Sequence, residues 1–376
     1  MNDPRYNKLA KLLVNYSTEV KPKDLVAITA LTPAEPLVKE LFREILLCGG
    51  YPYFLVRGYP PFVPGLENPL NSTITIANED QLKHVDIFYK KVIEDFDVLI
   101  SILSRSNTQS SANLDLSKIG ISSGAHSGVT NTYFERMASG ELRRVLTQFP
   151  TQGYAQNAEM SLDEFEEYVF STAYCDIDDP VKEWQKISNE QQKIVDYLAG
   201  KKKVVIKGPH VELTMSIDGR TFINCAGKVN MPDGEIFTGP VENSVNGWIR
   251  FTYPDYWSGR EIKGIELEFV DGRVEKASAT KNEKPLLEGL DRDPGARYIG
   301  EFGIGTNKRV NKFIKNMLFD EKIEGTIHFA LGHGYPESGS KNESSIHWDL
   351  LCDMKDGGQI IVDDELIYEA GDFLIK

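Results

Sequence analysis

The sequence predicts an α/β plus α+β chain in two parts. Residues 1–200 form a doubly wound parallel-sheet domain with a helical extension, and residues 201–376 form a β-rich, partly closed antiparallel domain. Three observations predict this. Helical and strand-like apolar patterns alternate through the first half. A helical block then ends at Gly200 and the run Lys201-Lys202-Lys203. From Val204 onward the pattern changes to short alternating runs broken by Asp-Gly turns. A chain of 376 residues also exceeds what one ordinary core accommodates, so two domains are the natural division.

The elements follow in order. Tyr6 to Tyr16 sets Leu9, Leu12, Leu13 and Tyr16 on or near one helical face. Leu25-Val26-Ala27-Ile28 reads as a short buried strand. Pro36 to Cys48 reads as a helix stopped by Gly49-Gly50, and Tyr51 to Val56 as the next strand, completing a β-α-β unit. A polar helix from about Gln81 to Glu94 feeds a buried strand over Asp97 to Leu103. This alternation is Rossmann-like. The loop Thr29-Ala30-Leu31-Thr32-Pro33-Ala34 has no glycine where backbone would approach a pyrophosphate, so the sheet is read as scaffold rather than nucleotide site. Ser161-Leu162-Asp163-Glu164 is a capping box opening a helix to about Ala173. A further helix runs from about Val181 to Ala199, with the lysine run suited to its C-terminal end. In the second half Asp218-Gly219 and Asp271-Gly272 are hairpin signals, and Gly264 to Val270 alternates as a half-buried antiparallel strand should.

Composition narrows the partners. A net charge of −14 lacks the basic face that nucleic acid or an anionic membrane needs, and 41% hydrophobic with 26% charged residues is the range of soluble globular proteins. No apolar run reaches the ~18 residues of a membrane span, and Met-Asn-Asp-Pro-Arg-Tyr does not open a secretory signal. Cys48, Cys175, Cys225 and Cys352 stand singly, without a Cys-x-x-Cys pair. That argues against a thiolate zinc site and a disulfide framework, and for a reducing, cytoplasmic setting.

Chemistry concentrates in the second half. Of six histidines, His328, His333 and His347 fall close together. In Gly325 to Leu331, strand alternation puts Ile327, Phe329 and Leu331 on one face and Thr326, His328 and Ala330 on the other. The same rule sets His347 beside Asp349, backed by Ile346, Trp348 and Leu350. A His-x-Asp pair is either an internal hydrogen bond or two ligands of one metal. Glu235 and Glu301 each follow a glycine and sit among apolar residues, so each requires a cationic partner, an ordinary lysine or arginine or else a metal. Carboxylates with imidazoles and no thiolates suit two divalent ions better than a structural zinc. Gly303-x-Gly305 lacks the Lys-Ser/Thr of a phosphate loop, and neither His-Glu-x-x-His nor Gly-x-Ser-x-Gly occurs. His84, His126 and His210 are read as surface or structural, and His333 is left without a role.

Several segments, in order along nearly the whole chain, resemble the thermophilic-type metalloaminopeptidases (aminopeptidase T, aminopeptidase S and related bacterial enzymes). They are Leu9 to Val20, Ala158 to Phe165, Asn230 to Pro240, Gly300 to Asn307, Asp320 to His328 and Ser345 to Asp349. The resemblance implies two divalent metal ions per chain (zinc, cobalt, manganese or magnesium) held by Glu235, Glu301, His328, His347 and Asp349. It also implies an active-site tyrosine at Tyr335, with Glu301 or Glu235 as proton carrier. Peptides with a free N-terminus are the implied substrates, and a homodimer the implied assembly. His333, Ser340 and Val362-Asp363-Asp364 depart from the family pattern without touching a ligand position. Two rival readings are a two-metal hydrolase of another bond type, such as a phosphoester, and a non-catalytic metal-binding homologue.

Overall fold

The alternating first half supplies four strands of a five-stranded parallel sheet and Asn230–Met231 the fifth, in the order Tyr51–Val56, Leu25–Ala30, Val98–Leu103, Arg143–Gln148 and Asn230–Met231. The computed structural model describes residues 3–56, 73–110, 114–257 and 260–375. Leu25–Ala30 and Val98–Leu103 are buried almost throughout, which is why both read as continuous apolar runs. Ala27 and Leu99 pack with Tyr89, Val92, Ile93, Val129 and Leu142 on one side of this Rossmann-like sheet. The loop after the first strand is tied to the residue that follows Val98–Leu103, Leu31 N donating to Ser104 Oγ at 2.9 Å.

Two helices depart from expectation. The first runs regularly over Pro4–Lys11 and then widens through Leu12–Ser17, where Thr18 N reaches back to Leu13 O at 3.0 Å. The wider winding buries Leu12, Leu13, Val14, Tyr16 and Ser17 together. The polar helix expected from Gln81 to Glu94 is two pieces, Glu79–Leu82 and Ile87–Asp95. Asn78 and Asp86 each cap a separate start, and Asp86 accepts from both Phe88 N and Tyr89 N.

Among the described residues the second half contains two large antiparallel sheets, besides a two-stranded pair of Asp255–Trp257 with Arg260–Ile262. One has eight strands, ordered Arg273–Ser278, Glu266–Val270, Asn246–Arg250, Val211–Ser216, Lys203–Gly208, Gln359–Val362, Glu365–Glu369 and Asp372–Phe373. The other has five, ordered His347–Asp353, Thr326–Gly332, Ile299–Gly305, Glu235–Thr238 and Ile223–Cys225. Neither closes into a barrel. Val204, Ile206, Leu213 and Ile249 of the first join Phe302, Phe329, Leu331 and Leu350 of the second in one core. Asp271-Gly272 turns a hairpin, Val270 pairing with Arg273. Asp363-Asp364 does the same work with both residues at positive φ, 48° and 66°. Asp218-Gly219 makes no hairpin, because the strands flanking it lie in different sheets.

The compact units are Met1–Trp184 with Gly227–Pro232, and Gln185–Ala226 with Asp233–Lys376. Among the described residues no helix is long and apolar enough to cross a membrane.

The capping box at Ser161 is formed in both directions, Ser161 N to Glu164 Oε2 at 2.8 Å and Glu164 N to Ser161 Oγ at 3.3 Å. Ser161→Ala is expected to cost about 1 kcal/mol of stability, read by chemical denaturation.

Candidate metal centre

All five proposed ligands lie on four adjacent strands of the five-stranded sheet. Glu235 opens Glu235–Thr238, Glu301 lies in Ile299–Gly305, His328 in Thr326–Gly332, and His347 and Asp349 in His347–Asp353. Each has a very small residue opposite it on a neighbouring strand. Glu235 faces Gly305, His328 faces Gly303, His347 faces Gly332, and Glu301 and Asp349 both face Ala330. Gly303 is the tightest case, since a Cβ there would lie 2.0 Å from His328 Nε2. The glycine pair at 303 and 305 therefore makes room for side chains from the next strands, and does not cradle phosphate.

The side chains converge. One donor atom from each of Glu235, Glu301 and His328 lies within 4.8 Å of the others, and all three residues are buried. His328 Nε2 is 3.2 Å from Glu301 Oε1 and 3.1 Å from Glu235 Oε2. His347 Nε2 is 3.6 Å from Glu301 Oε2 and 3.5 Å from Asp349 Oδ2. Glu301 thus offers one oxygen to each imidazole. His347 is the most open of the set, its side chain 25% exposed. Its Nδ1 lies 2.7 Å from the His333 carbonyl oxygen, which can only accept. Nδ1 therefore carries a proton and Nε2 is left for a cation.

Electrostatics point the same way. Burial disfavours a charged His328, but Glu235 and Glu301 outweigh it and hold the imidazole's pKa well above its ordinary value. Burial also opposes ionisation of Glu235, yet the Lys322 and His328 charges bring its pKa down to about 2. Glu301 goes the other way, raised by burial with Glu235 and Asp349 adding to it. One imidazole proton cannot serve two carboxylates. Glu235 Oε2 and Asp349 Oδ1 are buried without a hydrogen bond, and each such oxygen costs about 1–3 kcal/mol if nothing compensates it. Three carboxylates and two imidazoles with unmatched buried oxygens fit a divalent cation, which would also displace the imidazole proton.

Supporting residues escaped the sequence reading. Lys322, with no exposed surface, places Nζ 2.5 Å from Glu235 Oε1, 2.7 Å from Glu321 Oε1 and 3.5 Å from Asp233 Oδ1. Buried Gln191, 3% exposed, donates to the backbone oxygens of Glu235 (2.8 Å) and Cys225 (3.1 Å) and fixes where the Glu235 strand begins. Asp293 accepts from the Ser345 backbone (2.8 Å) and hydroxyl (2.6 Å), and from the Ser344 hydroxyl (2.8 Å), tying down the entry to His347. Tyr335 is half-buried, its ring 5.0 Å from that of His347 and 5.5 Å from that of Phe237. The His333 side chain is exposed, and its part in the site is the carbonyl behind His347.

Carboxylates and imidazoles converging on one sheet, three of them buried, are the donor set of a hydrolytic metal enzyme. The chain belongs to the family described as thermophilic metalloprotease (M29), whose family model matches residues 2–373. It is similar to Aminopeptidase 2 of Geobacillus stearothermophilus, 31% identical over 246 residues, spanning 56% of this chain and 59% of that protein. It is also similar to Aminopeptidase T of Thermus thermophilus, 25% identical over 302 residues, 72% of each. The solved structure of wild-type AmpT from Thermus thermophilus has the same fold, with a TM-score of 0.84 over 99% of both chains at 20% identity.

Gly303→Ala is expected to destabilise the protein by about 1–3 kcal/mol through overpacking. By displacing His328 it should also weaken divalent-metal binding about 10–100-fold, read by calorimetric titration. Asp293 provides a pH test. Burial opposes its charge, but the Ser345 and Ser344 donors and Gly295 N outweigh this and bring its pKa down to about 2. A depressed folded pKa stabilises above the unfolded value near ~3.9 and is lost as pH falls towards the folded one. Asp293→Asn should therefore be less stable than wild type at neutral pH. The gap should close between about pH 4 and pH 2 in denaturation curves.

Proposed function

We propose that this protein is a metal-dependent aminopeptidase that removes N-terminal residues from peptides, using two divalent ions. The observation carrying the proposal is the position of Glu301, one oxygen 3.2 Å from His328 Nε2 and the other 3.6 Å from His347 Nε2. That position would allow Glu235, His328 and Glu301 to hold one ion and Glu301, His347 and Asp349 the other. Ions held there would supply an activated water and polarise the scissile carbonyl. Names of similar proteins in the family, Aminopeptidase 2 and Aminopeptidase T, support the substrate class.

The chain's own groups divide the remaining work. Glu235 is engaged by Lys322 at one oxygen, so it is the poorer proton carrier. Glu301 is the group proposed to pass a proton to the leaving amine, which would require one of its two oxygens to be released from its ion as the amine departs. Tyr335, its ring edge-on to that of His347, is the residue proposed to donate to the developing oxyanion, a contribution of about 3 kcal/mol. A phosphoester would call for a cation aimed at substrate, whereas Lys322 is turned into its own carboxylates. Family resemblance supports the rest of the proposal, namely zinc, cobalt, manganese or magnesium as the ion, a homodimer and a cytoplasmic setting.

The test uses metal-stripped and cobalt-reconstituted protein on aminoacyl anilides, with N-acetylated anilides alongside. Hydrolysis should require both metal and a free amine. Cleavage of blocked substrates, or indifference to chelator, would overturn the proposal. Glu301→Gln should abolish turnover. Tyr335→Phe should lower kcat about 100-fold while leaving metal content unchanged.

A further inference from the structure

Behind Glu235, on the side away from His328, lies a second cluster that the proposed reaction does not use. Cys225 sits directly opposite Glu235 across the pair of strands. Its Sγ and one carboxylate oxygen from each of Asp233 and Glu235 lie within 4.8 Å of one another, a spacing that can hold a cation. Glu321 completes the cluster. Lys322 already supplies the positive charge, its Nζ at 2.5 Å from Glu235, 2.7 Å from Glu321 and 3.5 Å from Asp233, with no exposed surface.

We propose that Lys322 is a resident cation. Its ammonium occupies the place that a divalent ion would otherwise take among Cys225, Asp233 and Glu235, and so sets how many ions the protein holds. The inference rests on the reading that Glu235, Glu301 and His328 bind a metal.

Two physical points support it. The ammonium is delivered by backbone, not by diffusion. Lys322 N donates to Phe319 O at 2.9 Å, and Asn307 N donates to Lys322 O at 3.0 Å, so the stem starts from a fixed point. Asn307 in turn donates its side-chain amide to Asp233 O at 2.7 Å, tying the lysine and its counter-charges to one loop. Secondly, Glu235 has two oxygens and two cations to serve. With Oε1 on the ammonium, only Oε2, 3.1 Å from His328 Nε2, points to the ligand cluster. Lys322 is thus a positioning residue that makes Glu235 a one-oxygen ligand. Without it, Asp233, Glu235 and Glu321 would lose the ammonium they share beside the Cys225 thiol, a set that draws softer divalent metals.

The experiment compares metal-stripped wild type, Lys322→Met, Lys322→Arg and the double variant Lys322→Met/Cys225→Ser. Each is titrated with cobalt(II), followed by near-ultraviolet absorption, and its bound cobalt counted after desalting. Wild type and Lys322→Arg should bind cobalt without a thiolate-to-cobalt charge-transfer band. Lys322→Met should bind one equivalent more and show the band, and the added Cys225→Ser should remove it. If Lys322→Met is unfolded without metal, cobalt should fold it and bring up the same band. A thiolate band in wild type would overturn the inference. So would a Lys322→Met protein that folds with an unchanged cobalt count, or one that stays unfolded in excess cobalt. Failure of wild type to bind cobalt at all would instead overturn the metal reading, and this inference with it.

Discussion

Space across the sheet is the constraint on which the metal centre depends. Adjacent strands lie about 4.8 Å apart, too close for five ligand side chains to converge unless their neighbours recede. Gly303, Gly305, Gly332 and Ala330 provide that recession, each opposite a proposed ligand. The imidazole of His328 lies so close to the Gly303 backbone that no side chain could stand between them. Ligand direction is thus set by the period of the strands, and ligand distance by what the opposite residue omits.

Charge is the second constraint, and it is met in layers. The inner layer is acidic and leaves buried oxygens unmatched at Glu235 and Asp349. Behind Glu235, Lys322 balances part of that charge from within the fold. Behind His347, a backbone carbonyl fixes the proton on the far ring nitrogen. The entry to that strand is held by Asp293 through two consecutive serines. A site arranged in this way has its geometry in place before a cation arrives.

Much of this was legible in sequence, and for a physical reason. Strand alternation alone puts His328, His347 and Asp349 on defined faces, and the parallel sheet follows from apolar runs separated by helical periods. What was not legible depends on pairing. Lys322 meets Glu235 across 87 positions, and inside Asp320-Glu321-Lys322 it looks like surface charge. The role of Gly303 exists only once its register with His328 is known. Asp218-Gly219 has hairpin chemistry, but its flanking strands pair elsewhere. Asn78 and Asp86 were visible as polar residues, yet each starts a new helix only because its side chain turns back on the backbone.

The short strand Asn230–Met231 extends the parallel sheet alongside Arg143–Gln148, although it comes from far along the chain. Only a few residues later the same segment supplies Asp233 and Glu235. Neither compact unit is therefore a single stretch of polypeptide. A chain divided near residue 200 would leave the first part with Arg143–Gln148 as a bare sheet edge, open to pairing with other chains. The second part would carry a strand with no sheet to join. Dissecting this protein into halves at the gene level would separate pieces that the topology interleaves.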